Sequence, residues 1–188
     1  MIISEAPRLT EDREKIQEAI LFVMSLAEDL SQYDIAKTLF LADRSHLNRH
    51  GRPITFDNYV AMEHGPVPSF AYDVLKPATD YAARMQVTRP WVSAPDPVNP
   101  NINRFTRLRE PDLSFLSETD RSALRSAWET VRGLSFEQLR RVTHEDPAYI
   151  EAWARRGSKK AAAMKLPLLI EGDGETLAND LFYMSALA

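Results

Sequence analysis

The chain has 188 residues, 44% of them hydrophobic and 27% charged, with a formal net charge of −4 and no cysteine. Disulfides, thiolate metal sites and cysteine nucleophiles are therefore excluded, and the net negative charge argues against nucleic acid being gathered by the field of the whole molecule. No apolar run approaches the roughly 20 residues that span a bilayer, and the opening MIISEAPRLTEDREK lacks the basic, apolar and small-residue regions of a signal peptide, so a cytoplasmic protein with no membrane partner is expected.

Thr10 before Glu11 and Asp12 reads as a helix start, and Ile16, Ala19, Ile20, Val23, Met24 and Ala27 supply an apolar stripe at helical spacing. A second helix is predicted from Ser31 through Ile35, Leu39, Ala42 and His46, with Gly51 providing a left-handed exit. Residues 58–62 carry β-forming side chains, and the prolines of Gly65-Pro66-Val67-Pro68 keep an ordinary helix from crossing that point. A short helix follows over residues 69–76, with Pro77 at its end or kink.

Residues 84–109 read as a hairpin with a long proline-rich connection, an insertion in one fold rather than a separate domain. Within it, two of Arg104, Arg107 and Arg109 share a strand face by period-two alternation. Ser117 opens a helix closed by Gly133, Ser135 and Gln138 form a capping box, and Asp146-Pro147 caps a further helix that Gly157 ends. Leu166 to Ile170 reads as a short strand or extended segment, and residues 175–187 as a terminal helix with Leu177, Leu181 and Met184 inward. The predicted fold class is α+β: one mostly helical domain, residues 1–188, with a small antiparallel sheet or hairpin.

Few residues suggest chemistry. His46 and His50, four apart on one helix, could share a face and meet His64 or His144, with Asp43, Asp57 or Glu63 completing a metal set. There is no His-Glu-x-x-His pair, no Gly-x-Ser-x-Gly elbow and no complete phosphate loop, so neither a catalytic residue nor a cofactor is expected. The clusters at Arg104–Arg109 and at Arg155, Arg156, Lys159 and Lys160 read as solvated surface.

Two segments carry a denser pattern. The first holds Leu39-Phe40-Leu41-Ala42-Asp43, Leu47, Gly51-Arg52-Pro53-Ile54-Thr55, Ala61 and Gly65-Pro66-Val67-Pro68, followed by Tyr72. The second holds Leu139, Thr143-His144, Glu145-Asp146 and Pro147. Over residues 15–155 the chain thus resembles the Panacea domain, found in antitoxins of bacterial and phage toxin–antitoxin pairs and in SocA-like proteins. It departs at His50, where tyrosine is common, at Met62-Glu63-His64, and at Ala148-Tyr149, where a tryptophan is often expected.

The resemblance implies an antitoxin that binds and neutralises a cognate toxin encoded beside it, with some SocA-like members acting as proteolytic adaptors that present the toxin to ClpXP. It marks Asp43, Gly51, Arg52, Pro53, Glu63, His64, Gly65, Pro66, Thr143 and His144 as scaffold motif, with Asp43, Arg52, Glu63 and His144 expected to bond loops together. Candidate toxin-binding residues are Tyr59, Met62, Phe70, Tyr72, Trp91, Arg104 and Arg107. Aromatic and Met side chains bring large contact area, and prolines on both sides are expected to hold Trp91 outward. The alternatives are a metal-dependent enzyme with a His/Asp/Glu site and a DNA-binding regulator acting through Arg104 to Arg109. With no spare length for a helix-turn-helix module, protein binding is favoured over DNA binding.

Overall fold

The computed structural model describes residues 8–76 and 89–187; the start of the predicted hairpin and the Pro77 position lie outside them. Seven α-helices and two three-stranded antiparallel sheets stand among the described residues, in keeping with a mostly helical α+β class.

Helix α1 (Arg13–Leu26) begins two residues later than Thr10 suggests. Asp12 is its cap, accepting the Lys15 amide, because a carboxylate meets both the unpaired amide and the positive dipole end. Strand β1 (Leu30–Ser31) runs into α2 (Gln32–His50), whose start is a full capping box between Ser31 and Asp34. Gly51 ends α2 at φ 73°, its amide bonded to the Leu47 carbonyl.

Strands β2 (Tyr59–Met62) and β3 (Gly65–Pro68) form a hairpin around Glu63 and His64, pairing Met62 with Gly65 and Tyr59 with Pro68. Helix α3 (Ser69–Leu75) follows directly. Strands β4 (Trp91–Pro95) and β5 (Asn103–Arg107) form the second hairpin, and β5 also pairs with β1, giving the order β1-β5-β4.

After a 3-10 turn at Leu113–Phe115 come α4 (Glu118–Gly133), α5 (Phe136–His144) and α6 (Pro147–Arg155), capped by Ser117, Ser135 and Asp146 as their sequences predict. Two-residue strand β6 (Ala162–Ala163) completes the order β3-β2-β6. Residues Leu166–Leu169 are a 3-10 turn rather than extended, since Pro167 presets the φ of a helical first turn. Helix α7 (Gly174–Ser185) ends the fold; its inward face is Ala178, Leu181 and Ser185, whereas Met184 is exposed, against expectation.

Two apolar clusters form the interior. One gathers α1, α3, α4, β1, β4 and β5 around Ile20, Val23, Phe70, Trp91, Phe105 and Leu124. The other gathers β2, α6, the 3-10 turn and α7 around Tyr59, Tyr149, Ala152, Met164 and Leu181. Helix α2 lies between them, giving Ile35, Leu39 and Ala42 to the first and Phe40 and Leu47 to the second.

Trp91 corrects the expectation of an outward ring: it is 5% exposed and packs in the first cluster. It is the inward residue of a strand whose next four positions face solvent. Replacing it, Trp91→Ala, is expected to cost about 3–5 kcal/mol of unfolding free energy in urea titration; a loss within about 0.5 kcal/mol would mark a surface ring instead.

Candidate functional site

The two signature segments meet at the buried side chain of Lys37. This residue is 1% exposed, and its ammonium donates to the Pro66 carbonyl at 2.7 Å and lies 5.2 Å from the centre of the Tyr33 ring. Gly65 has φ 102°, and a Cβ there would stand 2.8 Å from both Lys37 Nζ and Thr143 Oγ1 and 3.4 Å from the His144 ring. Only glycine meets both the backbone turn and this close approach. Thr143 turns its hydroxyl back to the Leu139 carbonyl at 3.0 Å, and the His144 ring lies 4.3 Å from that of Tyr149. Tyr149 in turn donates its hydroxyl to the Met62 carbonyl at 3.0 Å.

Burial lowers the Lys37 pKa to about 7. It also lowers that of His144, aided by the charges of Arg140, Lys37 and His64. Burial raises Tyr33 to about 12. The Tyr33 hydroxyl and His144 Nε2 are buried atoms with no hydrogen-bond partner among the described residues. On the outer side, Phe136 packs its ring 5.0 Å from Tyr33 and 5.5 Å from His64, while remaining 45% exposed.

A second polar centre holds the loop between α2 and β2. Asp43 accepts the Ile54 amide at 2.8 Å, the Thr55 amide at 3.1 Å, the Tyr59 hydroxyl at 2.8 Å and the Thr55 hydroxyl. Asp57 accepts the amides of Phe70 at 3.0 Å and Ala71 at 2.9 Å, so it caps α3 from a distance. Between them Phe56 takes φ 55°, a left-handed conformation that a bulky residue adopts only when its surroundings hold it there. Burial raises the pKa of Asp43 despite these donors, and that of Asp57 to about 7.

A third centre joins α2 to α4. His46 Nδ1 donates to the Arg52 carbonyl at 2.8 Å, and Nε2 lies 3.0 Å from the Thr119 hydroxyl and 3.1 Å from Asp120 Oδ1. Burial holds His46 below its ordinary pKa. Asp120 is surrounded by Lys15 at 3.0 Å and Arg52 at 3.0 Å. Burial opposes its ionisation, but Lys15, the Ser117 amide and Arg52 outweigh it and hold the pKa low.

Among the scaffold residues, Asp43 and Arg52 tie loops to helices, and His144 is drawn into the Lys37 centre. Pro53 is buried behind Gly51, while Glu63 and His64 are exposed on the hairpin turn. Of the candidate toxin-binding residues, Tyr59, Phe70 and Trp91 are at most 6% exposed, so they can contribute only from beneath the surface. Met62 and Tyr72 are partly exposed. Arg104 is engaged by Asp96 at 2.6 Å, and Arg107 by Glu110 at 2.9 Å and the Met24 carbonyl at 3.1 Å.

Sequence reasoning missed Lys37, Tyr33 and Phe136. The only local signal for Lys37 is its place among Ile35, Ala36, Leu39 and Phe40, and its burial follows from the packing of α2 between the two clusters. Among the described residues, no three histidine or acidic side chains are grouped as metal ligands, and no helix is long and apolar enough to cross a membrane.

Replacing Gly65→Ala is expected to cost about 2 kcal/mol or more in urea titration, through backbone strain and displacement of Lys37 and Thr143; wild-type stability would contradict the packing described. For Lys37, the unfolded chain keeps its proton up to the ordinary range near 10.5, while the folded protein releases it near 7. Between those values the folded state binds fewer protons, so Lys37 makes stability rise with pH. Lys37→Met is expected to remove that rise between pH about 7 and about 10, whereas parallel profiles for variant and wild type would show that the amine titrates normally.

No curated protein and no solved structure matches the chain. The family described as Antitoxin SocA-like, Panacea domain, matches residues 35–150, well over half of the 188 positions, and takes in the three polar centres apart from Tyr33 and Lys15. With Gly65 and His144 brought from its two signature segments together against Lys37, the chain belongs to the SocA-like antitoxin family of the Panacea domain.

Proposed function

We propose that this protein is a binding module, not an enzyme, that neutralises a cognate toxin in the cytoplasm by direct contact. Membership of the SocA-like antitoxin family carries the reading. The surface that suits it best is the β2–β3 turn with its neighbours. There Glu63 and His64 project, Phe136 offers an exposed ring backed by Tyr33, and Met62 and Tyr72 are partly open. Exposed aromatic rings held by packing lose little freedom on binding, which suits them as anchors.

The hairpin of β4 and β5 adds Val92, 51% exposed, and the partly exposed Arg104 and Arg107. These arginines and Arg109, which is paired with Glu18, already have acidic partners. That favours a protein partner over the DNA phosphates a regulator would bind. An interface of ordinary size, about 1,200–2,000 Å² in total, would occlude the toxin. The same surface could equally present the toxin to ClpXP.

Expression of the neighbouring open reading frame is expected to arrest growth, and co-expression of this chain to restore it, with the two proteins co-purifying. Repeating the rescue in cells lacking ClpXP separates the mechanisms: rescue that persists means occlusion, and rescue that disappears means delivery. The pair of changes His64→Asp and Phe136→Asp is expected to weaken the complex by about 2 kcal/mol or more in calorimetry. Unaltered binding would remove this surface from the interface, and absence of both rescue and complex would overturn the function.

A further inference from the structure

Four strands border the two sheets, and they differ in what they offer to an incoming strand. Strands β1 and β6 are two residues long, and β3 has proline at alternate positions. Strand β4 instead carries five residues in unbroken register with β5, from Trp91 opposite Arg107 to Pro95 opposite Asn103. Val92, Ser93, Ala94 and Pro95 are all exposed, and no charged side chain stands between Pro90 and Pro95. This edge therefore lacks the lysine, inward charge or bulge that commonly closes one.

The hairpin bonds determine which backbone groups face away from β5. At the two ends of the strand pair, the Leu108 amide donates to the Pro90 carbonyl at 2.8 Å and the Asp96 amide to the Ile102 carbonyl at 2.8 Å. Antiparallel bonding alternates, so Pro90, Val92, Ala94 and Asp96 turn their backbone groups to β5, and Trp91, Ser93 and Pro95 turn theirs outward. The outward set is the N–H and C=O of Trp91 and Ser93 and the C=O of Pro95, because proline has no N–H. Among the described residues, none of these groups has a hydrogen-bond partner.

That set is complementary to itself. Two β4 strands laid antiparallel, with Ser93 opposite Ser93, exchange both Ser93 N–H···O bonds at the centre, and each Trp91 N–H meets the Pro95 carbonyl of the other copy. Every outward donor is then answered. The Trp91 carbonyl is left opposite the nitrogen of Pro95, and an under-satisfied carbonyl is tolerated more readily than an orphaned N–H. The same register sets Val92 opposite Ala94 of the other copy on the solvent face, a branched apolar side chain against a small one, with no like charges opposed.

We propose that β4 pairs with β4 of a second copy of this chain, joining two three-stranded sheets into one six-stranded sheet across a twofold axis. An edge that ends in proline suits a strand bearing the same proline in the mirrored place, which a second copy supplies. The pairing concerns the chain alone and does not depend on the antitoxin reading.

The test is sedimentation velocity of the purified chain over a concentration series, with hydrogen exchange followed at the Ser93 amide. A monomer–dimer equilibrium is expected, with exchange at Ser93 slowing as the dimer forms. Ser93→Pro removes the central donors on the open side and leaves the bonds to β5 in place, so it should weaken the dimer about tenfold or more at an unchanged thermal midpoint. Val92→Lys with Ala94→Lys, and Val92→Glu with Ala94→Glu, set like charges opposite each other; each is expected to stay monomeric and their equimolar mixture to dimerise. This charged pair decides the matter if Ser93→Pro disturbs the fold. A wild-type chain that is monomeric at every concentration, a dimer indifferent to Ser93→Pro and to the charged variants, or a Ser93 amide protected only when toxin is added would each overturn the pairing.

Discussion

Helix α2 is packed on both sides, and that constraint organises the molecule. A helix between two apolar clusters has no solvated face for much of its length, so each polar residue on it needs a partner inside the protein. Thr38 returns its hydroxyl to the Asp34 carbonyl, and three buried ionisable residues, Lys37, Asp43 and His46, occur in fewer than three turns. Each finds its partner in a different segment: Lys37 in β3, Asp43 in the loop before β2, and His46 beside the start of α4. The burial that makes α2 the centre of the fold therefore also determines how its loops are laid down.

The three centres differ in how charge is handled. Asp120 lies among Lys15, Arg52 and His46 and remains anionic in company. Asp43 and Asp57 are served by amides and hydroxyls instead, with burial pushing both toward the neutral acid. Lys37 has a carbonyl and an aromatic face but no carboxylate among its contacts, so its charge is costly to keep. Uncompensated groups of this kind hold a turn in one geometry at some expense in stability, and the turn they hold displays His64 beside Phe136.

Much of the helical scaffold was legible because its signals are local. Ser31, Ser117, Ser135 and Asp146 cap helices through amides two or three residues away, and Gly51 exits α2 through its own φ. What was not legible depends on distant partners. Trp91 turns inward because β5 aligns β4 over the first cluster, a pairing that flanking prolines do not report. The two-residue strands β1 and β6 exist only through β5 and β2. Met184 fits an apolar stripe in sequence, yet Ser185 takes the inward place because its hydroxyl receives the Thr10 amide and binds the Phe182 carbonyl.

Strand β3 forms one margin of its sheet, and alternate residues along it are proline. The Pro66 carbonyl is directed to Lys37 and away from β2, so Pro66 and Pro68 occupy the positions whose backbone groups face outward. Neither has an N–H, and the Pro66 carbonyl is already in use. This margin thus offers no donor to an incoming strand, and its four buried residues are packed against α2 and α5, both of which protect it from edge-to-edge aggregation. Whatever docks at the neighbouring turn must be held by side chains, so its sequence, not merely its ability to extend a sheet, decides whether it is accepted.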